Sequence, residues 1–185
     1  LPPATLTDVN LVAADVGGAV EELTGFYGPG LMGNRLIDGL PGPAWFDPID
    51  WAANMMFNQN YWTKYPLDIV FSFYERNPAL IGAVAILPPD APTMKLVDPQ
   101  DPSTAPAEVE IWTSLDIAPE RFTKLATATL EAMPGEQTVA FPAIEARFVK
   151  LRLLSGATAR VVEIGEVRVL ESVREGYRPL FDRAP

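Results

Sequence analysis

The sequence predicts an all-β domain built as an antiparallel β-sandwich of the jelly-roll kind, with one long proline-rich loop. Three observations lead to this prediction. Strand-length runs alternate apolar and polar residues, glycines and prolines separate the runs, and strands do not alternate with helices. The 185 residues suffice for one well-packed core and are few for two, so a single domain is expected.

Alternating runs mark the half-buried strands. In residues 68–73 successive side chains point to opposite faces, with Ile69 and Phe71 on the apolar face. Pro78 marks a turn after this run. Further runs of strand character cover residues 81–87, 109–113, 139–141 and 149–153.

Residues 119–133 admit two interpretations. The segment has the spacing of an amphipathic helix, but residues 122–130 are rich in threonine, which suits a strand. The strand is favoured.

The last strand shows a break in its pattern. The apolar positions of 162–164 and of 167–169 have opposite parity, so a regular strand could not bury both. A β-bulge near Gly165 and Glu166 is therefore predicted.

Two segments are predicted to lie outside the sheets. Residues 88–106 are rich in prolines, which cannot supply ladder hydrogen bonds, so this segment should be a long extended loop. A domain boundary there is disfavoured, because the strands before it are too few for a separate core. Residues 174–185 lack periodicity and are predicted to be an extended tail or linker after a domain covering residues 1–173.

The charge of the chain bears on its partners. The sequence has 14 basic and 24 acidic residues, a formal net charge of −10. Such a field repels the phosphates of nucleic acids and of anionic lipids, so no nucleic acid partner is expected. Solubility is the favoured role of this charge, with attraction of cations or of a basic partner as the alternative. No apolar stretch approaches the roughly 20 residues of a membrane span, so no transmembrane segment is expected.

The chain has neither cysteine nor histidine, which narrows its chemistry. The usual zinc ligands, the cysteine nucleophile and the histidine general base are excluded. Paired carboxylates such as Asp47 and Asp50 could still act as acid and base. Acidic side chains near a turn are more often solvated or capping groups, so the chain is predicted not to be an enzyme.

Taken in order, several segments resemble the discoidin and coagulation-factor type C domain family. This family has a galactose-binding-like β-sandwich, which it shares with many carbohydrate-binding modules. The segments that carry the resemblance are residues 10–13 and 17–18, 34–39 followed by Trp45, 68–73, 109–114, 146–152 and 163–169. The fold hosts binders of sugars, lipids and proteins, so the resemblance implies a recognition module without fixing its ligand.

The resemblance also implies a structural calcium ion where the Asp-Gly loop meets the final strand. It places the ligands at Asp38 and Glu166, with backbone carbonyls from Arg35 and Leu40. The residues support this independently, because Glu166 shares the buried parity of 162–164 and a buried carboxylate needs a cation or donors. Calcium takes oxygen ligands of these kinds.

The calcium hypothesis has an alternative. The family often has a hydroxyl residue five positions after the aspartate, where this chain has Pro43. Asp38 would then belong only to a turn, and Glu166 would pair with Arg35 or Arg147.

A segment between the Asp-Gly loop and the strand at residue 68 combines aromatic rings with amides. Sugar sites use this chemistry, since flat rings stack on the apolar face of a pyranose and amides bind its hydroxyls. The candidate ligand-binding residues are Trp51, Asn54, Asn58, Tyr61 and Trp62.

Two other roles for the segment stay open. Trp45, Met56 and Phe57 could plug the end of the sandwich, and such a patch also suits a protein partner. Lipid insertion is disfavoured, because it usually needs basic residues beside the apolar ones.

Two functional hypotheses follow. The first is a non-catalytic module that recognises a glycan at a cell surface or cell wall. The second is a structural or protein–protein interaction subunit of an exported or membrane-associated assembly, in which the proline-rich loop and the tail drape over a neighbour. The chain begins at Leu1 rather than Met, which suggests a processed or excised segment, and an exported location is expected.

Overall fold

Eleven strands form two antiparallel sheets and one short ladder in the computed structural model, which describes residues 2–24, 33–40, 44–46, 65–88, 106–156 and 162–183. The strands are β1 (Thr5–Asn10), β2 (Ala19–Leu23), β3 (Ala44–Phe46), β4 (Leu67–Ser72), β5 (Ala79–Leu87), β6 (Glu108–Ser114), β7 (Thr123–Thr129), β8 (Gln137–Ala146), β9 (Phe148–Leu153), β10 (Val162–Ile164) and β11 (Glu166–Val173). Within the described ranges, short 3-10 helices cover Ala14–Val16, Gly33–Leu36, Tyr74–Arg76 and Pro119–Arg121, and an α-helix, α1, covers Leu180–Arg183.

The two main sheets form the sandwich that the sequence predicted. One sheet has four strands in the order β1-β11-β5-β8, and the other has five in the order β2-β4-β9-β6-β7. β3 and β10 pair separately. All the pairs are antiparallel, so the all-β prediction is confirmed.

The core lies between the two sheets and is built mainly from alternate residues of their central strands. On β4 the side chains of Ile69 and Phe71 enter the core, opposite Leu151 and Val149 of β9 in the ladder. Burial of each such side chain stabilises the fold by about 1.5–3 kcal/mol. The strand alternation of residues 68–73 is therefore confirmed.

The outer face of the five-stranded sheet carries a second, smaller cluster. Val70, Phe122 and Phe148 are buried there, with Trp112 packed against them. The ammonium of Lys150 lies 4.5 Å from the ring centre of Phe122 and 5.1 Å from that of Trp112. Lys150 is thereby buried, and the burial lowers the pKa of its amine.

Residues 119–133 contain a strand, as favoured. β7 covers Thr123–Thr129 and pairs with β6, and only Pro119–Arg121 form a single 3-10 turn before it.

The prediction of a β-bulge near Gly165 is wrong, because the parity change has another cause. The chain breaks at Gly165 into two strands of different ladders, because β10 pairs with β3 while β11 pairs with β5. The N–H of Gly165 donates a hydrogen bond to the carbonyl of Leu87, 2.8 Å away. Each of these two strands has its own inward face. Both parities are therefore buried: Val162 and Ile164 in β10, and Val167 in β11.

The prediction of an extended tail from residue 174 differs from the structure. Residues 174–183 fold back onto the sandwich, and Leu180 is 1% exposed within the core cluster. Leu180 and Phe181 pack against the core, and Tyr177 and Arg183 hydrogen-bond to the sandwich, so the segment docks without any periodic pattern. The proline-rich segment lies outside the described residues from 89 to 105.

The sandwich has two distinct ends. β4 continues into β5, and β8 into β9, at the end where the chain enters β1 and leaves β11; we call this the terminal end. The opposite end, which we call the loop end, holds residues 38–40, 65–66, 130–136, 154–156 and 162–165. In the described part of the chain, no helix has the length and hydropathy needed to cross a membrane.

Candidate functional site

Glu166 lies at the loop end and is the first residue of β11. Its backbone pairs with Leu87 of β5, and the residue is buried, with only 6% of its surface exposed. The backbone N–H of Gly39 donates a hydrogen bond to its carboxylate. The Asp-Gly loop and the final strand therefore meet where the sequence placed them.

The environment of Glu166 disfavours its charge. Burial raises the pKa of this carboxyl from 4.5 to about 7, and the negative charge of Asp38 also raises it. The hydrogen bond from Gly39 and the charge of Arg168 lower the pKa and offset only part of this effect. The Oε2 atom is buried and has no hydrogen-bond partner in the described residues. A buried carboxylate oxygen in this state favours either a proton or a cation.

Asp38 forms a turn beside Glu166. Its Oδ1 accepts a hydrogen bond from the N–H of Leu40, 2.9 Å away, and Gly39 has φ +76°, which glycine adopts without strain. Asp38 is exposed. Asp38 and Gly39 therefore form a turn, and the same turn presents the N–H of Gly39 to Glu166.

The predicted ion pairs of Glu166 are not formed. Arg147 lies at the terminal end, where its Nη1 donates to the carbonyl of Arg76, 3.3 Å away. Arg35 is exposed and makes no ion pair with Glu166 within the described segments. The cation that acts on Glu166 is Arg168, whose guanidinium also binds Glu136 at 3.0 Å. Arg168 is two residues further along β11, and the alternation of the sequence alone does not indicate its contact with this site.

The carboxylates of Asp38 and Glu166 are the two acidic groups that could bind a cation at this site. The described ranges contain no group of three or more acidic, cysteine or histidine side chains that could hold a metal. Glu163 is fully buried in β10 but belongs to no such group. Its only sequence signal was an acidic residue between two buried apolar ones. A cation at Asp38 and Glu166 would take its other ligands from backbone carbonyls.

The five ligand-binding candidates lie outside the described residues. They are Trp51, Asn54, Asn58, Tyr61 and Trp62, and Asp47 and Asp50 lie there too. The residues that flank this segment are described. The backbone of Phe46 pairs with Val162 of β10, and Tyr65 precedes β4, so both flanks are at the loop end.

Comparison with protein-family models and with curated protein sequences finds no match. Solved structures do resemble the chain. A family 32 carbohydrate-binding module of Clostridium perfringens, solved with GalNAc-β-1,3-galactose, has a TM-score of 0.61 at 14% identity and covers 87% of this chain and 99% of its own. The family 32 module of C. perfringens NanJ, solved with galactose, has a TM-score of 0.59 at 16% identity over 91% of this chain and 99% of its own.

A third similar structure is a chitosan-binding module from a chitosanase/glucanase of Paenibacillus sp. IK-5. Its TM-score is 0.57 at 16% identity, and it covers 87% of this chain and 97% of its own. At such identities the likeness shows the fold. The chain has the galactose-binding-like β-sandwich fold of family 32 carbohydrate-binding modules.

Proposed function

We propose that this chain is a non-catalytic glycan-binding module that acts outside the cytoplasm and takes its ligand at the loop end. The observation that supports this most is the match in fold, over about nine tenths of the chain, to modules solved with galactose and with GalNAc-β-1,3-galactose. The absence of cysteine and histidine also agrees with a non-catalytic role, because the Ser-His-Asp and Cys-His types of hydrolase site need these residues.

The proposed ligand-binding residues are Trp51, Asn54, Asn58, Tyr61 and Trp62. Both flanks of the segment that holds them lie at the loop end. Aromatic rings and amides are the groups that sugar sites combine. Glycans that contain galactose or GalNAc are the first ligands to test, because two of the similar structures were solved with galactose and with GalNAc-β-1,3-galactose.

The experiment is a glycan array followed by titration of the best ligand with single variants. Trp51→Leu and Trp62→Leu keep apolar volume but remove the stacking ring, and we expect each to weaken binding by roughly tenfold or more. Trp112→Leu is the matched control, because Trp112 lies on the outer face of the five-stranded sheet. An array without any bound glycan, or equal losses in all three variants, contradicts the proposal.

A structural calcium ion at Asp38 and Glu166 is a second part of the proposal. The fit rests on the buried Oε2 of Glu166, which has no partner among the described residues, and on the nearby charge of Asp38. The carbonyls of Arg35 and Leu40 would complete the set, as the resemblance implies. The ion would neutralise both carboxylates and fasten the Asp-Gly turn to β11.

Calcium binding is tested by thermal unfolding with Ca²⁺ and with a chelator. We expect Ca²⁺ to raise the melting temperature of the protein and to leave that of Glu166→Gln unchanged. Glu163→Gln is the matched control, because Glu163 is also buried at this end of the sandwich but is not one of the proposed calcium ligands. A melting temperature that is the same with Ca²⁺ and with chelator removes the metal.

The alternative of an assembly subunit has lost one of its two supports. The tail was expected to drape over a neighbour, but its residues up to 183 pack on their own sandwich. The glycan hypothesis therefore ranks first. Capture of a fixed protein partner together with a blank glycan array would reverse this order.

A further inference from the structure

A groove runs across the outer face of the four-stranded sheet, remote from the loop end. Its volume is about 410 Å³, within the range of about 300–1,000 Å³ typical of small-molecule sites. Gly82 of β5 and Ser172 of β11 form the floor, with Leu6 of β1 on one side and residues 140–143 of β8 on the other. Ten residues line the groove, and eight of them are apolar or glycine.

The ladders of this sheet are irregular where they pass the groove. The register between β11 and β5 shifts between Leu170 and Glu171, which makes Gly82 the extra residue. The register between β5 and β8 shifts at the same glycine, so that residues 141–143 face it. Bulges of this kind occur next to binding sites because they re-aim side chains.

Gly82 keeps the floor of the groove open. A Cβ atom at this position would lie 2.2 Å from the Oγ of Ser172 and 3.2 Å from the Cδ1 of Leu6. Any larger residue would therefore displace both neighbours.

Ser172 is a polar group on an otherwise apolar floor. The residue is 3% exposed, and its hydroxyl makes no hydrogen bond to another described residue. The hydroxyl is not among the fully buried polar atoms without a partner, so it opens onto the groove and is free to hydrogen-bond to water or to a bound ligand. Its position on the groove floor allows it to donate to an acceptor bound there.

Arg174 is the charged residue of the lining. Its guanidinium makes no ion pair with any residue that the structure describes. In a chain of net charge −10, a groove whose charged lining residue is a cation favours an anionic head group.

We propose that this groove binds a small amphiphile, a medium-chain carboxylate. The hydrocarbon chain would lie between Leu6 and the residues of β8, and the carboxylate would accept hydrogen bonds from Ser172 and Arg174. The site is separate from the proposed glycan site and does not depend on it.

The test is a titration of the isotope-labelled protein with octanoate, followed by amide chemical shifts. We expect saturable shifts at Gly82 and Ser172, and weaker binding of 1-octanol, which has the same chain without the charge. Arg174→Gln should weaken octanoate binding roughly tenfold, the scale of one charge-assisted hydrogen bond, while Arg178→Gln should leave it unchanged.

A second pair of variants tests the apolar wall without threatening the fold. Leu6 and Val9 are both exposed on β1, at 42% and 37%, but only Leu6 lines the groove. Leu6→Asp should abolish binding, and Val9→Asp should preserve it. Shifts that never saturate, or losses that are equal within either pair of variants, would overturn the proposal.

Discussion

The phenol of Tyr177 donates a hydrogen bond to the Oε1 of Glu171, 2.7 Å away, and so ties the C-terminal segment to β11. The same phenol oxygen accepts a hydrogen bond from the N–H of Leu80 at 2.9 Å. Glu171 is 1% exposed, and its Oε1 also accepts from the N–H of Leu180 at 2.8 Å. Burial raises the pKa of Tyr177 to about 12, so the phenol stays a donor at any ordinary pH.

Removing this phenol should destabilise the domain. Tyr177→Phe leaves the buried Glu171 with one donor fewer and the N–H of Leu80 unpaired, at a cost of about 1–3 kcal/mol. Urea unfolding measures the loss. Tyr74→Phe is the control, with an expected change below about 0.5 kcal/mol, because no described residue hydrogen-bonds to its hydroxyl. Equal changes in both variants would show that the contact contributes nothing.

The C-terminal segment should be part of the folding unit. Leu180→Ala opens a cavity in the core and should lower the free energy of unfolding by about 2–5 kcal/mol. Leu115→Ala is the matched control, because Leu115 is 54% exposed and its truncation should cost little. If chemical denaturation finds Leu180→Ala as stable as the parent, then the segment is not docked in solution.

The stability of the calcium-free protein should fall as pH rises from about 4.5 to about 7 through Glu166. In this window the folded state holds the proton on Glu166, whose pKa is about 7, while the unfolded state has lost it. Folding therefore binds a proton in this pH range. The free energy of unfolding should fall by up to about 3 kcal/mol by neutral pH as a result. The difference in unfolding free energy between the protein and Glu166→Gln isolates this contribution. A difference that does not change with pH would contradict it.

The stability that the Asp68–Arg152 ion pair contributes should depend on the planar, two-pronged guanidinium of Arg152. Nε and Nη2 of Arg152 each donate to one oxygen of Asp68 at 2.7 Å, and both side chains are partly buried. Arg152→Lys keeps the charge but loses one of the two bonds, so we expect a loss of about 1 kcal/mol in thermal unfolding. Lys124→Arg is the control, because Lys124 makes a single hydrogen bond to Glu110 and its side chain is more exposed than that of Arg152. If Arg152→Lys were as stable as the parent protein, the pair would act only through its charge.

Alternation along the chain was enough to predict the sandwich. The period of two in residues 68–73 and 149–153 fixes which side chains enter the core, and the structure follows it. The same rule failed for Lys150, which alternation assigns to solvent. Its burial depends on Phe122 from the loop before β7, a contact between residues far apart in sequence.

The break at Gly165 illustrates a second limit. The parity change was visible in the sequence, but a bulge and a change of partner strand produce the same pattern. Only the pairing of β10 with β3 distinguishes them. At the loop end, the meeting of Asp38 and Glu166 was predictable from the resemblance, whereas the role of Arg168 depends on the direction of its side chain.

The two ends of the sandwich have a practical consequence. Thr5 pairs with Val173, and Arg183 donates to the carbonyl of Pro78 at 2.7 Å, so the first and last described residues share one pole of the molecule. A tag placed before Pro2 or after Arg183 would hold the protein by that pole on a sensor chip or bead. The opposite pole would then face the flowing sample unobstructed, whichever terminus is chosen.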